Sequence, residues 1–230
     1  MEPRIGLLVF PHVQQLDLTG PYEVFHLAHG LTVDLVWKTR EPVTSTTGLV
    51  FTPTRTFDDC PPLDVLCVPG GAGINRLLQD TATLEFIRRQ AEGARFVTSV
   101  CTGSMVLAAA GLLEGKRATS HWAARDLLAA FGATPVAERV VRDGKFITAG
   151  GITSGIDFGL TVVAELLGQV EAETVQLGLE YAPHPPFDAG TPASASPDVV
   201  ATARQRTAES RATRERIVGE LRPEWRGADQ

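Results

Sequence analysis

The sequence predicts one large α/β domain, a mostly parallel sheet with helices on both faces. Three observations predict it. Continuous apolar runs such as RIGLLVF (4–10), LDVLCVPGG (63–71) and RFVTSV (95–100) read as strands buried on both faces. Longer segments with helical spacing stand between them, and parallel strands need such crossovers. The chain has 230 residues, 43% hydrophobic and 21% charged, which suits one core needing no disulfide or structural metal.

The elements follow in order. After the first strand, 18–30 (LTGPYEVFHLAHG) reads as a helix with Pro21 in its first turn and Gly30 as its stop. Residues 31–39 form a strand, and 48–57 (GLVFTPTRTF) an edge strand, because Pro53 interrupts it. The strand at 63–71 ends in Pro-Gly-Gly. Segment 74–93 reads as two helices broken near Asp80, the second closed by Gly93. The strand at 95–100 runs into a helix at 102–113, and 121–132 is a further helix ending at Gly132. Two alternating runs around Asp143-Gly144 predict a hairpin over 138–151. Helices at 154–168 and 172–182 complete a domain spanning 1–182.

Residues 183–197 (PHPPFDAGTPASASP) read as a Pro/Ala/Ser-rich linker. Beyond it, 198–230 forms an arginine-rich helical arm, with Val200, Ala203, Thr207, Ile217 and Leu221 roughly on one face. It is expected to pack on its own domain or on a partner subunit. Glutamates interleave with its arginines and the net charge is −6, so no nucleic-acid footprint emerges. No apolar stretch approaches the roughly 20 residues of a membrane span. The N-terminus has no small-residue cleavage site and reads as a strand rather than a signal peptide. Cys60, Cys67 and Cys101 show neither pairing nor metal-ligand spacing, so a reducing, cytoplasmic setting is expected, with no metal.

Turns at the carboxyl ends of parallel strands are where such proteins place ligands. Three here are unusual: FPHVQQLDLTG (10–20), VPGGAGI (68–74) and SVCTGS (99–104). In the last, a strand, one residue and a helix beginning Thr-Gly-Ser make a nucleophile elbow. Cys101 is then either a small buried filler or a thiol whose ionisation the helix N-terminus favours. Cys67 and Cys60 read as core and loop. A nucleophile needs a proton handler. Asp17, in the loop after the first strand, could reach the same crevice. Burial and like charge would raise its pKa; capping the following helix is the bland alternative. Glu23 ranks below it. His121 is a spare candidate, more simply read as a helix-start residue bonded to backbone. PGGAG fails the dinucleotide spacing, since Arg76 stands where the last glycine should be. Gly70 and Gly71 are instead expected to present N–H groups to charge developing on a substrate.

Together QQLDLTGPYEVF, LDVLCVPGGAG, VTSVCTGSMVLAAAGLLEGKRATSHW and ITAGGITSGIDFGL resemble the ThiJ/PfpI superfamily, over about residues 3–182. The resemblance implies a flavodoxin-like sandwich with a cysteine elbow, commonly in a homodimer. Protease-like members carry Cys-His at the elbow; this chain has Cys-Thr. That elbow, with an aspartate in the first loop, resembles the isonitrile hydratases. What the resemblance implies is hydration of an isonitrile to an N-substituted formamide without cofactor. Cys101 would be the nucleophile, Asp17 the acid/base and Thr102 the orienting group. Gly70, Gly71, Gly150 and Ile152 would border the substrate, and the glycine-rich GGITSGID segment would be prone to motion. Glyoxalase, deglycase or amidase chemistry on the same fold, or a redox sensor built on Cys101, are the alternatives. AraC-type regulators share the motifs but append two helix-turn-helix units that this chain lacks room for.

Overall fold

The computed structural model describes residues 2–222, so the last part of the expected arm lies outside the described residues. A seven-stranded sheet forms the centre. Its strands are β1 (Arg4–Leu8), β2 (Thr32–Trp37), β5 (Arg55–Thr56), β6 (Val65–Val68), β7 (Phe96–Val100), β10 (Val140–Asp143) and β11 (Phe146–Ala149), in the order β10-β11-β7-β6-β1-β2-β5. All neighbours pair parallel except β10 and β11, the hairpin closed by Gly144 in the left-handed region. Every residue of β6 and β7 is buried, as their uninterrupted apolar character requires.

Two groups of helices cover the sheet. α1 (Gln15–Leu27), α5 (Ser154–Leu167) and α6 (Gln169–Gly178) pack on one another. α2 (Ile74–Leu77), α3 (Thr81–Gly93), α4 (Gly103–Ala109) and a 3-10 helix at Arg125–Phe131 form the second group. The sequence-predicted architecture, a mostly parallel sheet with helices around it, is the observed one.

Several elements depart from expectation for local reasons. α1 begins three residues early, so Asp17 lies in its first turn and Pro21 falls inside it. Proline has no N–H, so the Asp17 carbonyl loses its usual helical donor. Pro53 splits the expected 48–57 strand. Its first half, β4 (Val50–Phe51), turns back on β3 (Val43–Thr44), and its second half becomes the edge strand β5. The 121–132 segment starts with a turn, the Ala124 N–H bonding the His121 carbonyl at 2.8 Å, and only then winds into a 3-10 helix. α4 stops at Ala109, short of Gly111 in the left-handed region. α6 runs ahead of its expected 172–182 span. β8 (Arg117–Ala118) and β9 (Thr134–Pro135) form a small parallel pair that no sequence pattern announced. The break near Asp80 is present, with Asp80 accepting the Thr83 N–H at 3.3 Å as an N-cap.

α7 (Pro197–Leu221) starts on Pro197 at a first-turn position and folds back onto its own chain. Ile217 and Val218 are buried against the domain. Arg211 grips both Asp126 oxygens at 2.6 Å and the Ala123 carbonyl at 2.8 Å. The arm is therefore a cover on its own domain.

Candidate active site

Sheet order assembles the site. β11, β7, β6 and β1 are consecutive neighbours, so the turns leaving their carboxyl ends lie side by side. Those turns carry Ile152, Cys101, Gly70-Gly71 and the approach to Asp17.

Cys101 occupies the elbow with φ 55°, a left-handed conformation that costs an L-residue about 1–2 kcal/mol. The surroundings hold it there. Its N–H donates to the Ala149 carbonyl at 3.0 Å, and its carbonyl accepts from Ser120 Oγ at 3.1 Å and Ser104 Oγ at 3.3 Å. Gly103 is required at the next turn, since a Cβ there would lie 1.9 Å from the Val68 carbonyl oxygen.

Asp17 is fully buried. Its Oδ2 accepts the Gly70 N–H at 2.9 Å. Its Oδ1 meets no hydrogen-bond donor among the described residues. Yet carboxyl and thiol are near enough for each to move the other's ionisation. Burial is the main cause that raises Asp17 to about 7, opposed by the Gly70 N–H and the Cys101 thiol. At neutral pH this acid is poised to give or take a proton.

The thiol does not behave as the helix-terminus argument expected. Burial first, then the Asp17 charge, push Cys101 well above the ordinary thiol value. The Thr102 N–H and hydroxyl pull the other way without overcoming them. α4 has only seven residues, so its dipole is weak. The resting pair is a thiol beside a carboxyl of near-neutral pKa.

Gly70 and Gly71 take a different role from the one expected. Their N–H groups are already committed: Gly70 to Asp17, and Gly71 to Thr102 Oγ1 at 3.2 Å. Those N–H groups brace the two side chains rather than standing free for charge developing on a substrate. Gly70 must lack a side chain, because a Cβ would sit 2.6 Å from Thr102 N and Oγ1 and 2.8 Å from Asp17 Oδ2. Gly71, with φ 130°, packs against the His12–Gln14 backbone and borders the cavity.

A cavity of about 190 Å³ opens on Cys101 and Thr102, with Ile152 and His121 in its wall. Gly150 borders an adjoining cavity of about 520 Å³ that shares His121 and Ile152. Burial keeps His121 below its ordinary pKa, hence neutral, and its Nδ1 accepts the Ala123 N–H at 3.3 Å. Glu23 is exposed and takes no part. Cys67 is locked in β6 with its thiol pushed up to about 12, and half-buried Cys60 up to about 11, burial leading in both. Among the described residues, no cluster of His, Cys, Asp or Glu could hold a metal ion.

Sequence reasoning missed one wall entirely. Gln14 and, from α7, Thr207, Ser210, Arg211 and Arg214 complete the cavity. A signal existed. Positions 203, 207, 210, 214, 217 and 221 step by four and three along one helical face. Thr207, Ser210 and Arg214 are polar interruptions of a stripe whose Ile217 is buried and whose Leu221 is exposed.

Fold and site define a class: an α/β sandwich protein holding a cysteine on a strained elbow beside a buried acid. The chain belongs to the DJ-1/PfpI family, whose model matches residues 3–165. It is 62% identical over 210 residues to isonitrile hydratase from Pseudomonas putida, covering 91% of this chain and 92% of that one. A ThiJ/PfpI family protein from Pseudomonas syringae superposes with a TM-score of 0.92 at 44% identity, covering 95% of this chain and 91% of that one. DJ-1beta from Drosophila melanogaster shares the fold, with a TM-score of 0.72 at 24% identity over 80% of this chain and all of that one.

Proposed function

We propose that this protein is an isonitrile hydratase that converts R–N≡C and water to the formamide R–NH–CHO through Cys101. The similarity to the Pseudomonas putida enzyme over nearly the whole chain supports the activity. The observation that carries the chemistry is the pairing of a buried thiol with an acid whose pKa is about 7.

In this reading the Cys101 sulfur bonds to the terminal isonitrile carbon while the proton held by the pair is delivered to that same carbon. The product is a thioimidate, R–N=CH–S–Cys101. Water then adds across C=N. Asp17, now ionised, accepts the proton released from the oxygen. The C–S bond breaks, the formamide leaves, and the thiolate recovers its share of the proton. Thr102 steadies the sulfur with its N–H and hydroxyl, and Ile152 borders the substituent. No step requires a cofactor. The Cys-Thr elbow and the neutral, backbone-bonded His121 disfavour the protease-like alternative.

We also propose a homodimer in the cytoplasm. Exposed Val170 and Leu177 on α6, with Leu27 at the end of α1, offer an apolar face for a second copy, and all three cysteines are free. The decisive experiment incubates the purified protein with an alkyl isonitrile and follows the formamide by NMR, alongside Cys101→Ala. Turnover in the wild type alone, with a trapped Cys101 adduct by mass spectrometry, supports the reading. Equal turnover in both proteins, or none in the wild type, overturns it.

A further inference from the structure

Arg214 stands out among the buried groups that the reaction above does not use. Its side chain is carried by α7 and is only 7% exposed. Its Nε donates to Asn75 Oδ1 at 3.1 Å and its Nη2 to Ser210 Oγ at 3.3 Å. Both partners are neutral. Among the described residues no carboxylate lies within salt-bridge distance of this guanidinium, whereas neighbouring Arg211 is paired with Asp126 and Glu215. A buried cation without a counter-charge is costly. Arg214 borders the same small cavity as Cys101, so the charge it faces is the one that appears when that thiol ionises.

We propose that Arg214 is a positioning residue that supplies the positive charge favouring the Cys101 thiolate, making α7 part of the active site. The proposal deepens the hydratase reading and rests on it for the substrate, but its thiol chemistry can be read without any isonitrile. Three titratable groups face this pair of Arg214 and Cys101: Asp17 from α1, His121 from the turn before the 3-10 helix, and Arg211 from α7. Burial and the Asp17 charge oppose ionisation. His121 is neutral and Arg211 is already paired. Arg214 is thus the cation left to oppose the Asp17 charge, and the Cys101 charge in turn favours protonated Arg214 against the burial that disfavours it. The sulfur charge also reappears when the C–S bond of the hydrated thioimidate breaks, so one group would serve both attack and departure.

The test measures Cys101 ionisation in full-length wild type, Arg214→Met and Arg214→Lys. Thiolate ultraviolet absorbance is taken as the difference from each protein's Cys101→Ala counterpart. Iodoacetamide alkylation is timed in parallel across a pH series. An opposite charge at close range shifts a pKa by about 1–3 units. Arg214→Met should therefore raise the thiolate midpoint by at least about one unit and slow alkylation about tenfold at any pH below it. Arg214→Lys should recover most of the loss, because it keeps the charge. Asn75→Ala, which frees the guanidinium without removing it, should give a smaller shift and covers the case in which Arg214→Met fails to fold. An unchanged midpoint in folded Arg214→Met, or in Asn75→Ala if the former cannot be obtained, overturns the proposal. So does a midpoint that Arg214→Lys fails to restore. A shifted midpoint in a protein that hydrates no isonitrile would sink the hydratase reading and leave the arginine–thiolate pair standing.

Discussion

Asp17→Asn should make the protein more stable and nearly inactive, with a stability gain that depends on pH in a defined direction. The Asn side-chain oxygen can keep the Gly70 N–H bond, 2.9 Å in the wild type, while its amide replaces the unpartnered Oδ1. The charge is what disappears. In the folded state the carboxyl titrates at about 7, against 3.8 for the free side chain. At about 1.4 kcal/mol per unit, an ionised Asp17 costs the folded state up to about 4 kcal/mol. Below about pH 4 the carboxyl is protonated in both states and the cost vanishes. Between 4 and 7 the folded state holds a proton that the unfolded state has lost, so rising pH destabilises the wild type progressively. Above 7 both states are ionised and the full cost remains. Urea unfolding of both proteins at several pH values from about 5 to 8 reads this directly. The Asn variant should gain on the wild type by about 3 kcal/mol across that span. A difference independent of pH, or one shrinking as pH rises, would mean that Asp17 ionises normally when folded and cannot serve as the acid. Hydration assays on the same preparations should show most activity lost.

Three further outcomes follow from the geometry. Cys101→Gly should unfold at higher urea than Cys101→Ala by about 1 kcal/mol, because only glycine escapes the left-handed cost at φ 55°; the opposite order would deny the strain. Gly70→Ala should lower kcat on the order of a hundredfold and destabilise by about 1–3 kcal/mol, since its Cβ must displace Thr102 or Asp17; wild-type kinetics would show that the brace is dispensable. Asp126→Ala removes the two-pronged grip on Arg211, a half-exposed pair worth about 1 kcal/mol at most. Hydrogen exchange in α7 should quicken while the central sheet stays protected, and uniform protection would mean that other contacts hold the arm.

The parts of this molecule legible in its sequence are those governed by local rules. β6 and β7 are continuous apolar runs, and Asp143-Gly144 leaves little choice but a hairpin. The elbow was readable because Cys101 follows a strand and precedes Gly103, where a close turn needs a residue without a side chain. Bringing Asp17 toward Cys101 depended on a global feature, the adjacency of β1, β6 and β7. Strand order is only inferable from alternation and resemblance, not from the residues of any one strand. The glycine N–H groups were misread for a related reason. Sequence shows that Gly70 and Gly71 expose backbone but not which acceptor claims it, and the nearest claimants, Asp17 and Thr102, come from two other turns.

Arg214 marks the far edge of what sequence can carry, and it shows why. A long arginine-rich helix with low amphipathicity satisfies every local criterion for a solvated arm. Its fate is decided by Asp126 and Asn75, some 85 and 139 residues away in the chain, which take Arg211 and Arg214. The buried stripe on α7 is narrow because the helix closes over a cavity rather than a full hydrophobic face. A wall that must meet both solvent and a reactive sulfur needs polar residues at positions where core packing would place leucine. Ser210 and Arg214 weaken the apolar pattern for that reason, and the weak pattern is itself a mark of the helix's place beside Cys101.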